Sequence, residues 1–75
     1  MCEEIKIVDN IFKIIEIVGT SKESYEKAIN NGIAKASNTI TAISWFEVIQ
    51  QRGAVKDGKV TEFQVVMKVG FKLID

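Results

Sequence analysis

The sequence predicts an α+β subunit of β-α-β-β order, with a three-stranded antiparallel or mixed sheet in spatial order 1-3-2 wrapped on one helix. Three observations carry this expectation. A β-branched run comes first, a stripe of apolar residues at helical spacing follows, and two alternating runs then flank a hairpin turn. No proline interrupts any of them.

Ile11 to Val18 reads IFKIIEIV, a β-branched composition that suits a half-buried strand. Gly19 is read as its end. Thr20 stands three residues before Glu23, a capping-box spacing that predicts a helix starting at Ser21 or Lys22. From there Tyr25, Ala28, Ile29, Ile33, Ala36, Ile40 and Ile43 fall on one stripe, predicting a helix of about five turns. Lys22, Glu26, Asn30, Lys35 and Asn38 face away from it. Gly32 lies on the buried side, where a missing side chain admits a close sheet.

Trp45 to Val55 reads as the second strand and Val60 to Leu73 as the third. Between them Lys56-Asp57-Gly58-Lys59 carries the Asp-Gly pair of a two-residue hairpin. In the third strand Phe63, Val65, Met67, Val69 and Phe71 share the face that covers the helix. With Asp57 and Gly58 at the tip, Phe46 pairs with Val69 and Val48 with Met67, extending the core. On the other face Trp45 meets Gly70, Glu47 meets Lys68, Ile49 meets Val66 and Gln51 meets Gln64. A bulge near Gly53 would shift this register by one. A right-handed crossover makes the first and second strands parallel, and the third fits between them, antiparallel to both.

Residues 1–9 read as an N-terminal extension and 10–75 as the domain. Ile5-Lys6-Ile7-Val8 is expected either to lengthen the first strand or to pair elsewhere in an oligomer. A 75-residue chain buries only about 60% of the surface it exposes when unfolded, so it needs support beyond its own core. Cys2 is the only cysteine and histidine is absent, which rules out a disulfide within the chain and argues against a metal cage. One helix covers one sheet face. The other keeps Trp45, Ile49 and Val66 among Glu47, Gln51, Gln64 and Lys68, a half-apolar surface that calls for copies of itself.

Ten basic residues balance ten acidic ones without clustering, which argues against a nucleic-acid partner. Apolar runs are far short of the ~20 residues of a membrane span. Met1-Cys2-Glu3-Glu4 lacks the basic start of a secretory signal, so a cytoplasmic protein with a reduced thiol is expected. No catalytic constellation is expected: there is no histidine, and Gly19-Thr20-Ser21 is not a phosphate loop. Glu16, Glu47 and Glu62 read as solvated or ion-paired strand carboxylates.

Binding chemistry is better represented. Trp45 either packs in an oligomer or offers a stacking platform to a flat aromatic ligand. Gln64, on the same face, is either a solvated polar residue or an amide placing an acceptor beside donors. The two sit about six residues apart along the hairpin, roughly 20 Å at strand rise, so one ring can touch both only between subunits.

Taken in order, Ile14-Ile15-Glu16-Ile17-Val18-Gly19-Thr20-Ser21, Ala28-Ile29, Ala34-Lys35-Ala36, Trp45-Phe46-Glu47-Val48, Gln51-Arg52-Gly53, Asp57-Gly58, Phe63-Gln64-Val65 and Lys68-Val69-Gly70-Phe71 resemble the dodecin family. The resemblance runs from about Asn10 to Leu73. It implies a hollow homododecamer that binds flavin, FMN or riboflavin, without being an enzyme. It further implies that Trp45 stacks on the isoalloxazine, that Gln64 hydrogen-bonds the ring and that Arg52 contacts a flavin phosphate. Some members also bind coenzyme A, and secreted relatives bind calcium without flavin; the presence of both Trp45 and Gln64 favours the flavin branch. Two other readings are a shell holding coenzyme A or another nucleotide with Trp45 only packing, and an enzyme that uses bound flavin.

Overall fold

The computed structural model describes residues 9–73. Its elements are β1 (Phe12–Ser21), α1 (Tyr25–Ala36), β2 (Ile43–Lys56) and β3 (Lys59–Lys72). The sheet order is β1-β3-β2, and both outer strands run antiparallel to β3. β1 and β2 are therefore parallel to each other across the sheet, as the crossover rule requires. The segment Ile5-Lys6-Ile7-Val8 lies outside the described residues.

The hairpin turn forms as its dipeptide predicts. Asp57 and Gly58 both have positive φ, 55° and 76°, the pairing that lets a two-residue loop follow the strand twist. From Lys56↔Lys59 and Val55↔Val60 the register steps by one between Ala54 and Val55, then steps back between Val48 and Gln50. A third irregularity lies between Ile43 and Trp45. Trp45↔Gly70, Phe46↔Val69, Glu47↔Lys68 and Val48↔Met67 thus stand as expected, whereas the middle of the hairpin does not. Arg52, not Gln51, lies opposite Gln64, and Gln50, not Ile49, lies opposite Val66.

The helix departs from expectation at both ends. Gly19 does not end β1: Gly19, Thr20 and Ser21 pair with Val65, Gln64 and Phe63. Sheet pairing outcompetes the capping-box spacing at Thr20. Ser24 is the N-cap instead, its Oγ accepting from the Lys27 amide at 3.0 Å, while Ser21 Oγ accepts from the Glu23 amide at 2.9 Å. The helix has 12 residues, about three turns rather than five. It stops at Ala36 because Ser37, Asn38, Thr39, Ile40 and Thr41 are all weak helix formers. Ser37 closes it, its amide and hydroxyl donating to the Ile33 carbonyl at 2.9 and 2.8 Å. Ala42, at φ 62°, then turns the chain into β2.

Ala28, Val65, Met67 and Val69 are fully buried, flanked by Ile15, Ile17, Tyr25, Ile29, Ile33 and Ile43. Two glycines let helix and sheet meet. A Cβ on Gly32 would fall 2.6 Å from Met67 Cε and 3.2 Å from the Gly19 Cα, and one on Gly19 would run into the Ala28 carbonyl oxygen. The helix packs on β1 and β3. Not one residue of β2 is buried. Phe46 and Val48 point toward the helix side yet stay 46% and 38% exposed, so they do not extend this subunit's core as expected.

Gly19→Ala places a methyl against backbone that cannot swing aside. Overpacking of this kind costs about 1–3 kcal/mol, so a clear drop in the urea midpoint is expected. Ser24→Ala, which removes only a cap, should cost about 1 kcal/mol. An unchanged midpoint for Gly19→Ala would contradict the close helix–sheet contact.

Candidate functional site

The sheet face turned away from the helix carries the candidate residues. Its positions, by register, are Phe12, Ile14, Glu16, Val18 and Thr20 on β1, Gln64, Val66, Lys68, Gly70 and Lys72 on β3, and Trp45, Glu47, Gln50 and Arg52 on β2. Glu16, Lys68 and Glu47 form one row across the three strands, a cation between two carboxylates. Apolar groups lie on either side of that row. Phe12, Ile14 and Val18 are 41%, 53% and 49% exposed. Such a surface on so small a chain is an interaction site.

Trp45 is held at the end of this face by Gly70. A Cβ on Gly70 would come within 2.6 Å of Trp45 Cη2 and closer still to the ring fusion, so the indole lies on bare backbone. Phe12 closes against it edge to face, with ring centroids 5.0 Å apart and planes at 63°. With Gly70 beneath and Phe12 at one side, Trp45 is still 39% exposed. That leaves part of the indole accessible to a flat ring.

At the other end of the face the bulged register brings Arg52 and Gln64 together. Arg52 Nε donates to Gln64 Oε1 at 2.7 Å, and Gln64 Nε2 donates to Glu62 Oε1 at 2.8 Å. Among the described residues Arg52 spends one of its five N–H donors on Gln64, which leaves its terminal nitrogens to meet an anion. Gln64 keeps one lone pair and one N–H for a ligand edge. Glu62 reads from sequence as a solvated carboxylate, and only the strand spacing of Glu62 and Gln64, two apart on one face, signals their contact. Phe12 carries no local motif that marks it as part of the site. Its approach to Trp45 depends on the β1–β3 register, which no short stretch of sequence announces.

Trp45 and Gln64 are not brought together. Trp45 stands opposite Gly70, six residues along β3 from Gln64, which is roughly 20 Å of strand. A single ring touching both must lie between two copies of the chain. A groove of about 450 Å³ between β1 and the end of α1, lined by Ile17, Gly32, Ala36 and Ile40 among others, contains neither Trp45 nor Gln64. Among the described residues no three His, Cys, Asp or Glu side chains gather as a metal cluster, and no helix is long and apolar enough to cross a membrane.

Comparison with known proteins gives one consistent answer. A family model described as Dodecin matches residues 11–74. The Dodecin of Thermus thermophilus is 44% identical over 63 residues, covering 84% of this chain and 91% of that protein. The structure of dodecin from Streptomyces coelicolor superposes with a TM-score of 0.88 at 38% identity, covering 92% of this chain and 99% of the other. The calcium dodecin of Mycobacterium tuberculosis, described as a calcium-chelating immunodominant antigen with a novel calcium-binding site, superposes with a TM-score of 0.76 at 32% identity, covering 85% and 91%.

Gly70→Ala tests how Trp45 is seated. The added methyl should push the indole off the sheet, shifting its emission to the red and raising its accessibility to acrylamide. Unaltered emission would mean that the ring does not rest on Gly70.

Proposed function

This chain belongs to the dodecin family, small proteins that form homo-oligomers and bind a small ligand, and we propose that its ligand is a flavin, FMN or riboflavin. The flavin sits between subunits of a homododecameric shell that stores, buffers and photoprotects it without catalysing a reaction. Trp45 stacks on the isoalloxazine and quenches its excited state by donating an electron. Gln64 hydrogen-bonds the pyrimidine edge of the ring, and the free N–H groups of Arg52 reach a flavin phosphate. The single observation that carries this reading is the seat of Trp45. Its indole lies on a glycine and stays 39% exposed, on a sheet face that the helix does not cover.

The chemistry of the site supports a ring ligand with a hydrogen-bonding edge. The exposed part of the Trp45 indole accepts any flat ring, whereas the free lone pair and N–H of Gln64 require a donor beside an acceptor. The pyrimidine edge of an isoalloxazine shows acceptor, donor and acceptor in a row. No group on this face is arranged for proton transfer, and Glu16 and Glu47 both lie beside Lys68. Coenzyme A is the competing ligand, because the exposed guanidinium of Arg52 suits any phosphate.

Titration of purified protein with riboflavin and FMN, read as loss of flavin fluorescence, tests the proposal. Binding with strong quenching is expected. Trp45→Ala should weaken affinity by about 10- to 100-fold, as loss of one stacked base-sized ring does, and should restore emission of whatever flavin stays bound. Arg52→Ala should weaken FMN more than riboflavin. If Trp45→Ala leaves affinity and quenching unchanged while coenzyme A binds tightly, Trp45 only packs and the nucleotide reading replaces this one.

A further inference from the structure

Gln64 is a primary amide held on both sides by groups of single hydrogen-bonding character. A guanidinium has donors only, so Arg52 Nε can meet only Oε1, at 2.7 Å. A carboxylate has acceptors only, so Glu62 Oε1 can meet only Nε2, at 2.8 Å. Turning the amide over would set N–H against guanidinium and oxygen against carboxylate. Both contacts would become repulsive, so the chemistry of the neighbours fixes an orientation that is otherwise free, since the terminal torsion of glutamine is broad. Both partners are set by the backbone: Arg52 faces Gln64 across the hairpin because of the register step near Ala54, and Glu62 lies two residues away on the same strand face.

We infer that Glu62 is a positioning residue for ligand binding, acting with Arg52 to lock the Gln64 amide so that its remaining acceptor and donor face a ligand in one order only. This rests on the flavin reading above and deepens it. The isoalloxazine edge is nearly symmetric, acceptor-donor-acceptor, and an unlocked amide could pair with either half of it. A locked amide pairs its oxygen with the ring N–H and its N–H with one particular carbonyl, and so selects how the ring lies against Trp45. Glu62 touches no ligand in this scheme. It acts through Gln64.

The test uses the intact protein with riboflavin and with its N3-methyl derivative, which lacks the imide N–H. Affinities come from flavin quenching for the wild type, Glu62→Ala and Glu62→Gln. One hydrogen bond lost to N3-methylation should cost the wild type roughly tenfold in affinity. In Glu62→Ala that penalty should shrink to about threefold or less, mainly through weaker riboflavin binding, while the N3-methyl compound binds nearly as before. Glu62→Gln, whose own oxygen can accept from Gln64 Nε2, should recover most of the discrimination. A purely structural role for Glu62 would lower both affinities together and leave their ratio at the wild-type value; that result, or a full ratio in Glu62→Ala, overturns the inference while leaving the flavin site standing. Wild-type protein that quenches neither compound would remove the flavin reading and the role of Glu62 with it.

Discussion

β2 is a strand that its own chain leaves uncovered. It is 14 residues long, it forms one edge of the sheet, and none of its residues is buried. The reason is where the helix lies. The 12 residues of α1 pack over β1 and β3, on the β1 side of the sheet, and β2 is the edge strand beyond them. Phe46 and Val48 are left open on the helix side and Trp45 on the other. A strand in that condition either aggregates or is covered by an ordered partner. Dodecins resolve it by forming homo-oligomers, and every feature of the candidate site follows from that incompleteness.

Within the subunit, close contacts are concentrated where helix meets sheet. Gly19 and Gly32 remove the side chains that would hold α1 away, and Met67 fills the space between them. Away from the helix the same device reappears with another purpose. Gly70 removes a side chain so that an indole, not a helix, can lie on the strand. Phe12 then steadies the ring from β1. The core glycines secure the fold, while Gly70 keeps an aromatic surface flat and open at the price of a less covered sheet.

Much of this is legible in the residues, and the failures have physical causes. Strand order, the hairpin turn and the pairing of Trp45 with Gly70 all follow from patterning, because Asp57-Gly58 fixes one end of the register. The middle of the hairpin is legible only in part: the one-residue shift expected near Gly53 occurs beside Ala54, but nothing in the sequence marks the second step that restores the register near Ile49. Two compensating irregularities, near Ala54 and near Ile49, shift pairing by one and then restore it, so the turn and the stretch from Trp45 to Val48 obey the simple register and the segment between them breaks it. That segment holds Arg52 and Gln64, whose hydrogen bond no alternation pattern announces. The helix misleads in the opposite way. Ile40 and Ile43 continue the apolar spacing of α1, yet Ile40 lies beyond its end and Ile43 opens β2. Periodicity records which side is greasy, not whether the backbone between is helical. Thr20 and Glu23 copy the spacing of a cap, but pairing of Thr20 with Gln64 holds that residue in the sheet.

On the proposed reading, the face bearing Trp45 is covered in water by further copies of the chain, with flavin where those copies meet. Native mass measurement with and without added FMN addresses both halves of that claim together. The account predicts a particle of twelve 8.4 kDa chains that gains mass in whole flavin units and binds fewer of them in Trp45→Ala. A stable monomer in dilute buffer, unchanged in mass by FMN or riboflavin, would contradict it.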